Sequence, residues 1–328
     1  MNIEKLKSQV FNINSLSDFN ELALKIFYLQ FENNKIYRKF INLLGIDISK
    51  INYFKEIPCL PIEFFKTHLV TSVPFHPEIV FLSSGTTDSM RSKSFVFSKS
   101  LYEQSIFNTF TTFYENPNKY IIAALIPDIN TAKNSSLSYM LDFLIKKSEN
   151  KLSGFYLNSE EELINIIEKN PIKKKILFGL TYTLLKFVED SSISDRNLVV
   201  IETGGMKGKM VEITRRDLYK RLAKKLNSPI HSEYSMAEIM SQAYSVKDGV
   251  FKTPWWMQIL IRDIYDPLSR LGNNKSGGID IIDLANFYTC SFISTKDIGL
   301  LHDDLSFEVF GRFDFSDVRG CNLMVNTL

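Results

Sequence analysis

The chain has 328 residues, 45% hydrophobic and 23% charged, which supplies a sizeable core and excludes a disordered polymer. Its 39 basic and 37 acidic residues nearly cancel, so no chain-wide basic field argues for nucleic acid or an anionic membrane. Cys59, Cys290 and Cys321 are far apart without a C-x-x-C pair, which argues against a zinc knuckle or a disulfide framework.

The start, Met1 to Lys5, lacks an apolar signal core, and no apolar run approaches the ~20 residues of a membrane span. A cytoplasmic protein of one large or two modest domains is expected. Phe19, Leu22, Ile26 and Leu29 recur at helical steps, and Tyr37, Phe40, Ile41 and Leu44 repeat the pattern until Gly45. Residues 1–57 therefore read as a helical segment. Pro58, Pro61, Pro74 and Pro77 then favour extended, turn-rich chain. A strand at 79–82 follows and runs into Ser83-Ser84-Gly85-Thr86-Thr87-Asp88.

Strands at 120–126, 154–157, 175–179 and 198–202 alternate with helices at 137–147, from Ser159, at 182–189 and from Thr214. Ser159 to Glu162 has the spacing of a capping box. This alternation predicts an α/β fold, its mainly parallel sheet covered by helices, over a body of residues 58–250. From Trp256 short strands at 258–264, 278–284, 290–294 and 306–310 are expected, with Asp266-Pro267 and Gly277-Gly278 as turns. Residues 251–328 thus read as a β-rich subdomain.

Chemistry concentrates in three places. The Ser83–Thr87 run offers hydroxyls, amides and a glycine after a strand, which suits a phosphate-wrapping loop or an ordinary Ser/Thr-rich turn. Gly204-Gly205 and His231-Ser232-Glu233-Tyr234-Ser235-Met236-Ala237-Glu238 are expected in loops past strands, where ligands bind in open α/β sheets. The glycines could admit a flat ring or simply stop a helix; Tyr234 could stack on that ring, and Glu238 could hold Mg²⁺ or be solvated. Asp297 at a strand end could bind a ribose diol and Arg312 could pair with phosphate or ribose oxygens, although both also fit hairpin turns. Cys321, close in sequence to Arg319 and Arg312, could be an activated thiolate or a small buried hydrophobe. Ten of the 14 glycines lie between Gly204 and Gly320, which marks this half of the chain as the one with special backbone needs.

The order Ser-Ser-Gly-Thr-Thr, Gly-Gly, Tyr-x-x-x-Glu, Asp-x-Gly and Gly-Arg-x-Asp resembles the adenylate-forming superfamily of acyl-CoA synthetases, adenylation domains and luciferases. Residues 201–245, 251–266 and 279–321 are similar to the acyl-protein synthetase (LuxE-like) family. They carry Glu-Thr-Gly-Gly-Met-Lys-Gly, His-Ser-Glu-Tyr-Ser-Met-Ala-Glu, Ile-Asp-Leu-Ala-Asn and Arg-Gly-Cys-Asn-Leu.

The resemblance implies ATP and Mg²⁺ as cofactors, and a carboxylic acid, expected to be fatty, as substrate. It places Ser83, Ser84, Gly85, Thr86 and Thr87 around the triphosphate, and Gly204, Gly205, Glu233 and Tyr234 around adenine. Glu238 becomes the magnesium ligand, Asp297 the ribose ligand, Arg312 its companion and Asp314 the hinge. Thr86 and Glu238 would assist the first substitution, and Cys321 would accept the acyl group for a partner acyl reductase or carrier. Asp88, Ser235 and Ala237 depart from the superfamily pattern. The chain also ends at Leu328, soon after the hinge position, so the expectation is an adenylating body without its lid. Transfer to coenzyme A, a carrier protein or an amine, or a nucleotide-binding subunit that has lost catalysis, are the other outcomes this reading leaves.

Overall fold

Polar caps set where the first helices begin. In the computed structural model, which describes residues 3–83, 91–190, 193–204 and 215–313, α1 (Ile3–Gln9) leads into α2 (Leu16–Asn33) and α3 (Lys35–Leu43). Ser15 Oγ accepts from Asp18 N at 3.1 Å, and Asn34 Oδ1 accepts from Ile36 N and Tyr37 N at 3.1 and 3.0 Å. Each such cap stabilises its helix by about 1 kcal/mol. The expected stripe of Phe19, Leu22, Ile26 and Leu29 is buried. Gln30, fully buried beside it, donates to Phe287 O at 2.9 Å and accepts from Ser291 N at 2.9 Å. Those bonds fasten the N-terminal helices to the last third of the chain.

The proline-rich stretch contributes β1 (Leu60–Pro61) and the single-turn α4 (Phe64–Thr67). Next come β2 (Ile79–Leu82), β3 (Lys93–Val96) and α5 (Lys99–Phe113), the last two not expected from the sequence. The buried face of α5 includes Ser105 and Thr109, which dilute its apolar stripe, although its Ser98 cap was legible.

The body follows as β4 (Tyr120–Leu125), α6 (Ser136–Ser148), β5 (Gly154–Phe155), α7 (Glu160–Lys169), β6 (Lys174–Leu180), α8 (Thr181–Asp190), β7 (Leu198–Thr203), α9 (Arg215–Leu226) and β8 (Ile230–Tyr234). Strands β5, β4, β6, β7 and β8 lie in that spatial order and pair in parallel. Alternation along β4 shows how both faces are covered. Tyr120, Ile122 and Ala124 join a core with α5 and α6, while Ile121, Ala123 and Leu125 join one with α7, α8 and α9. The capping box at α7 does not form: Ser159 stands at the N-cap without a side-chain bond. Glu160, Glu161 and Glu162 still complement the helix dipole.

The remaining strands are β9 (Ala243–Lys247), β10 (Val250–Lys252), β11 (Met257–Arg262), β12 (Ser276–Asp283), β13 (Phe292–Leu301) and β14 (Phe307–Arg312). They continue the parallel strands edge to edge in the order β8-β9-β10-β14-β13-β12-β11, with β1 added beside β13. The unexpected β9–β10 hairpin turns at Asp248-Gly249, both at positive φ (58° and 75°), an arrangement that suits a two-residue turn. Two expectations are corrected here. Gly277-Gly278 is not a turn but lies inside β12, and Asp297 is not at a strand end but within β13. Among the described residues no helix is long and apolar enough to cross a membrane.

Candidate functional site

The hairpin of β2 and β3 holds the base of the Ser/Thr loop. Ser83 N donates to Ser92 O at 3.0 Å, and Ser92 N donates to Ser83 Oγ at 3.0 Å. This two-bond clasp joins the residues on either side of the loop. Ser84, Gly85, Thr86, Thr87 and Asp88 themselves lie outside the described residues, as do Gly205, Asp314, Arg319, Gly320 and Cys321.

At the carboxyl ends of β7 and β8 the chain places several polar side chains. Gly204 follows β7 at φ +78°, a backbone state that glycine adopts without strain. Glu233 and Tyr234 belong to β8 itself rather than to the loop expected for them, because Ser232 and Glu233 pair with both β7 and β9 and Tyr234 pairs with β9. The Glu233 carboxylate is buried and accepts from Thr203 Oγ1. Glu202, not singled out by sequence, accepts from Thr181 Oγ1 at 2.9 Å and Ser232 Oγ at 2.5 Å.

Tyr234, Asp297 and Arg312 meet. Tyr234 Oη donates to Asp297 Oδ2 at 2.6 Å, and Arg312 Nε donates to Asp297 Oδ1 at 3.1 Å. The cross-strand register of β13 and β14 sets Asp297 directly opposite Arg312. Phe251 and Phe307 pack edge-on against the Tyr234 ring. Burial, reinforced by the Asp297 charge, holds the Tyr234 hydroxyl protonated well above the usual tyrosine range. The Asp297 side chain is 7% exposed and that of Arg312 is 77% exposed, so the carboxylate is enclosed while the guanidinium faces solvent. An ion pair with so exposed a partner adds little stability.

Glu238 lies on the loop between β8 and β9, and the loop is pinned twice. Asn286 Nδ2 donates to Glu238 O at 2.7 Å. Asp283, with no exposed surface, accepts from Met240 N at 2.8 Å and Ser241 N at 2.9 Å. Burial pushes the Glu238 carboxyl above the usual range, opposed by a hydrogen bond from Ser92 and the positive fields of Arg312 and Lys66. Ser92 therefore links the clasp under the Ser/Thr loop to Glu238. A buried carboxylate of raised pKa gains from a cation. Mg²⁺ characteristically takes one or two protein carboxylates and completes its shell with phosphates and water. The donor set fits Mg²⁺ held jointly with a nucleotide; no group of three or more His, Cys, Asp or Glu side chains forms a metal cage among the described residues.

Cys59 and Cys290 are buried, as expected of structural cysteines, and burial pushes the Cys59 thiol up to about 12 and the Cys290 thiol up as well. His231 bonds Tyr114 Oη through Nδ1 at 2.9 Å, and burial lowers its ring to about 4. Sequence reasoning passed over Ser92, Arg262, Asp280 and Asp283. For Arg262, Asp280 and Asp283 the available signal was charge inside otherwise apolar strands, since such groups stay buried only when paired.

The fold is similar to that of several solved proteins, two of them CoA ligases. A 2-hydroxyisobutyryl-CoA ligase in an open conformation with 2-HIB-AMP and CoA superimposes with a TM-score of 0.64 at 12% identity, covering 92% of this chain and 72% of that one. ATP-bound MatB from Rhodopseudomonas palustris gives 0.54 at 11% identity, covering 71% of this chain and 47% of that one. The long-chain-fatty-acid-CoA ligase FadD1 from Archaeoglobus fulgidus gives 0.53 at 16%, with coverages of 72% and 52%. The chain thus spans about half the length of MatB and FadD1. These likenesses establish the fold, an α/β body shared with those structures. No curated protein sequence matches the chain significantly. A family model described as acyl-protein synthetase, LuxE, matches residues 121–328, more than half of the chain. The chain belongs to the LuxE acyl-protein synthetase family.

Proposed function

We propose that the protein is an ATP-dependent ligase that activates a carboxylic acid as an acyl-adenylate and carries the acyl group onward on Cys321. The observation that carries the adenylation reading is the meeting of Tyr234, Asp297 and Arg312, which are 63 and 15 residues apart in sequence. In this reading a carboxylate oxygen attacks the α-phosphorus of ATP, the α–β anhydride bond breaks, and pyrophosphate leaves with the electron pair. Hydroxyls and amides of Ser83, Ser84, Gly85, Thr86 and Thr87 donate to the phosphate oxygens. Tyr234 offers a ring face to adenine beside Gly204 and Gly205, with Glu233 behind. Asp297 binds the ribose diol, and the solvent-facing Arg312 turns from Asp297 towards nucleotide oxygens. Mg²⁺ held at Glu238 would offset the charge that builds on the phosphates.

The second substitution uses Cys321. Its thiol loses a proton, the thiolate attacks the acyl carbonyl, and the acyl–oxygen bond to AMP breaks to leave a thioester. A fatty acid as substrate and an acyl reductase as recipient follow from the family resemblance. Acid-dependent exchange of labelled pyrophosphate into ATP tests the first step across acids of graded chain length. Exchange with an optimum at one chain-length range is expected; nucleotide binding without exchange for any acid would refute catalysis. Coenzyme A or a carrier protein added to the same assay detects transfer to another acceptor.

A further inference from the structure

We infer that Arg262 is a positioning residue for Asp297, acting across a β-bulge where only a glycine at position 278 leaves room for its guanidinium. The inference rests on the adenylation reading, in which Asp297 meets the ribose.

Strands β12 and β13 fall out of register where Asp297 lies. Gly278 pairs with Ile298 and Asp280 pairs with Ser294, so one residue of β12 stands opposite Thr295, Lys296 and Asp297. The surplus residues bow out of the ladder and re-aim the side chain of Asp297, as bulges beside functional sites commonly do. A bulge also disturbs the ladder partners of nearby backbone carbonyls, which need donors when buried.

Arg262 supplies them. It pairs directly across from Gly278 on β11, and its guanidinium extends over the bulge. Nη1 donates to Ile279 O at 3.0 Å and to Asp280 Oδ1 at 2.7 Å, while Nη2 donates to Thr295 O at 2.6 Å. Thr295 Oγ1 closes the arrangement, donating to Ile279 O at 2.7 Å and accepting from Asp297 N at 3.1 Å. The planar fork thus ties both sides of the bulge to one buried carboxylate, and a lysine ammonium cannot reproduce that geometry. Asp280 is held on its other oxygen by Arg270, so two cations orient it.

Gly278 makes room. A Cβ there would sit 2.5 Å from Arg262 Cζ and 2.6 Å from Nη1. The atoms in the way are the far end of a flexible side chain, so alanine would expel the guanidinium rather than break the strand. Gly278→Ala is therefore a way to remove Arg262 from the bulge without changing its charge.

The test uses Arg262→Lys and Gly278→Ala in the full chain, with two readouts. In the nucleotide-free protein, amide hydrogen exchange at residues 295–298 should accelerate about tenfold in both variants, while exchange in β4 and β6 stays unchanged. In calorimetric titration, affinity for ATP should fall about tenfold, whereas affinity for 2′,3′-dideoxyATP should change less than twofold, so discrimination for the ribose diol collapses; tenfold corresponds to ~1.4 kcal/mol. Unchanged exchange at 295–298 would overturn the inference whether or not ATP binds. Equal losses for both nucleotides, or faster exchange with ATP affinity intact, would overturn it as well, since either result describes a merely structural arginine. Failure of the unaltered protein to bind ATP would instead refute the adenylation reading and leave exchange to decide the support of the bulge. Should Gly278→Ala not fold, Arg262→Lys carries both measurements.

Discussion

Replacement of Asp283 by asparagine should cost about 2 kcal/mol of stability and displace the loop that carries Glu238. Asp283 Oδ2 accepts from two backbone amides, Met240 N and Ser241 N, while Oδ1 accepts from Ser241 Oγ at 2.8 Å and Ala285 N at 3.1 Å. An asparagine keeps the shape but turns one oxygen into a donor. Whichever end it occupies, it faces at least one backbone N–H that then has no acceptor. A buried unmet donor costs ~1–3 kcal/mol, and two are placed at risk. The substitution also removes a buried charge, whose desolvation raises the Asp283 carboxyl above its usual range, and this offsets part of the loss. The net is ~2 kcal/mol for asparagine and ~4 kcal/mol for alanine, which removes both acceptor oxygens and all four hydrogen bonds. Trp256 reports the change, because its Nε1 donates to Ser241 Oγ at 2.8 Å. Urea unfolding followed by tryptophan fluorescence measures the difference. An Asp283→Asn protein within 0.5 kcal/mol of the parent, the order of a neutral surface change, would refute the reasoning.

Other outcomes are equally direct. His231 has a ring pKa of about 4 in the fold. The unfolded chain takes up that proton first, near pH ~6.5, so stability falls as pH drops from there to about 4. His231→Gln should remove a component of about 1 kcal/mol from the difference between pH 7 and pH 5, allowing for the partly wet ring; an unchanged acid limb refutes this. Glu238→Gln should weaken Mg²⁺ binding to the nucleotide complex by tenfold or more, and in the parent protein protons should compete with Mg²⁺ above the usual glutamate range; titration of Mn²⁺ by paramagnetic resonance reads both. The buried thiols of Cys59 and Cys290 should resist a thiol reagent in the native protein and react only on unfolding. Peptide mapping that finds either one modified under native conditions contradicts their inert assignment.

Local pattern revealed the parts of the fold whose physics is local. Strands β4, β6 and β7 are buried on both faces and stand out as continuous apolar runs, and α2 shows its stripe at helical spacing. The Asp248-Gly249 turn is a legible hairpin signal, but Tyr244, Ser245 and Val246 follow a motif whose polar residues read as a loop. Most of β13, residues 295–301, was missed because Thr295, Lys296 and Asp297 are polar; their place in a strand depends on the bulge and on Arg262 from another strand. Gly277-Gly278 resembled a turn because glycine was read as a backbone signal, whereas Gly277 admits the close Arg262 backbone and Gly278 leaves room for its guanidinium. The order of the site motifs anticipated that Tyr234, Asp297 and Arg312 come together. The groups that support the site, Asp280 through Arg262 beside the bulge and Asp283 and Ser92 around Glu238 and its loop, make long-range bonds to which no local spacing points.

The central claim is that an acyl-adenylate made at this site is captured by Cys321. Intact-mass analysis after incubation with Mg-ATP and a supporting carboxylic acid tests it most directly. The account predicts a gain of one acyl mass that hydroxylamine removes, lost in Cys321→Ala while acid-dependent pyrophosphate exchange persists. A hydroxylamine-labile acyl group that survives in Cys321→Ala would contradict it.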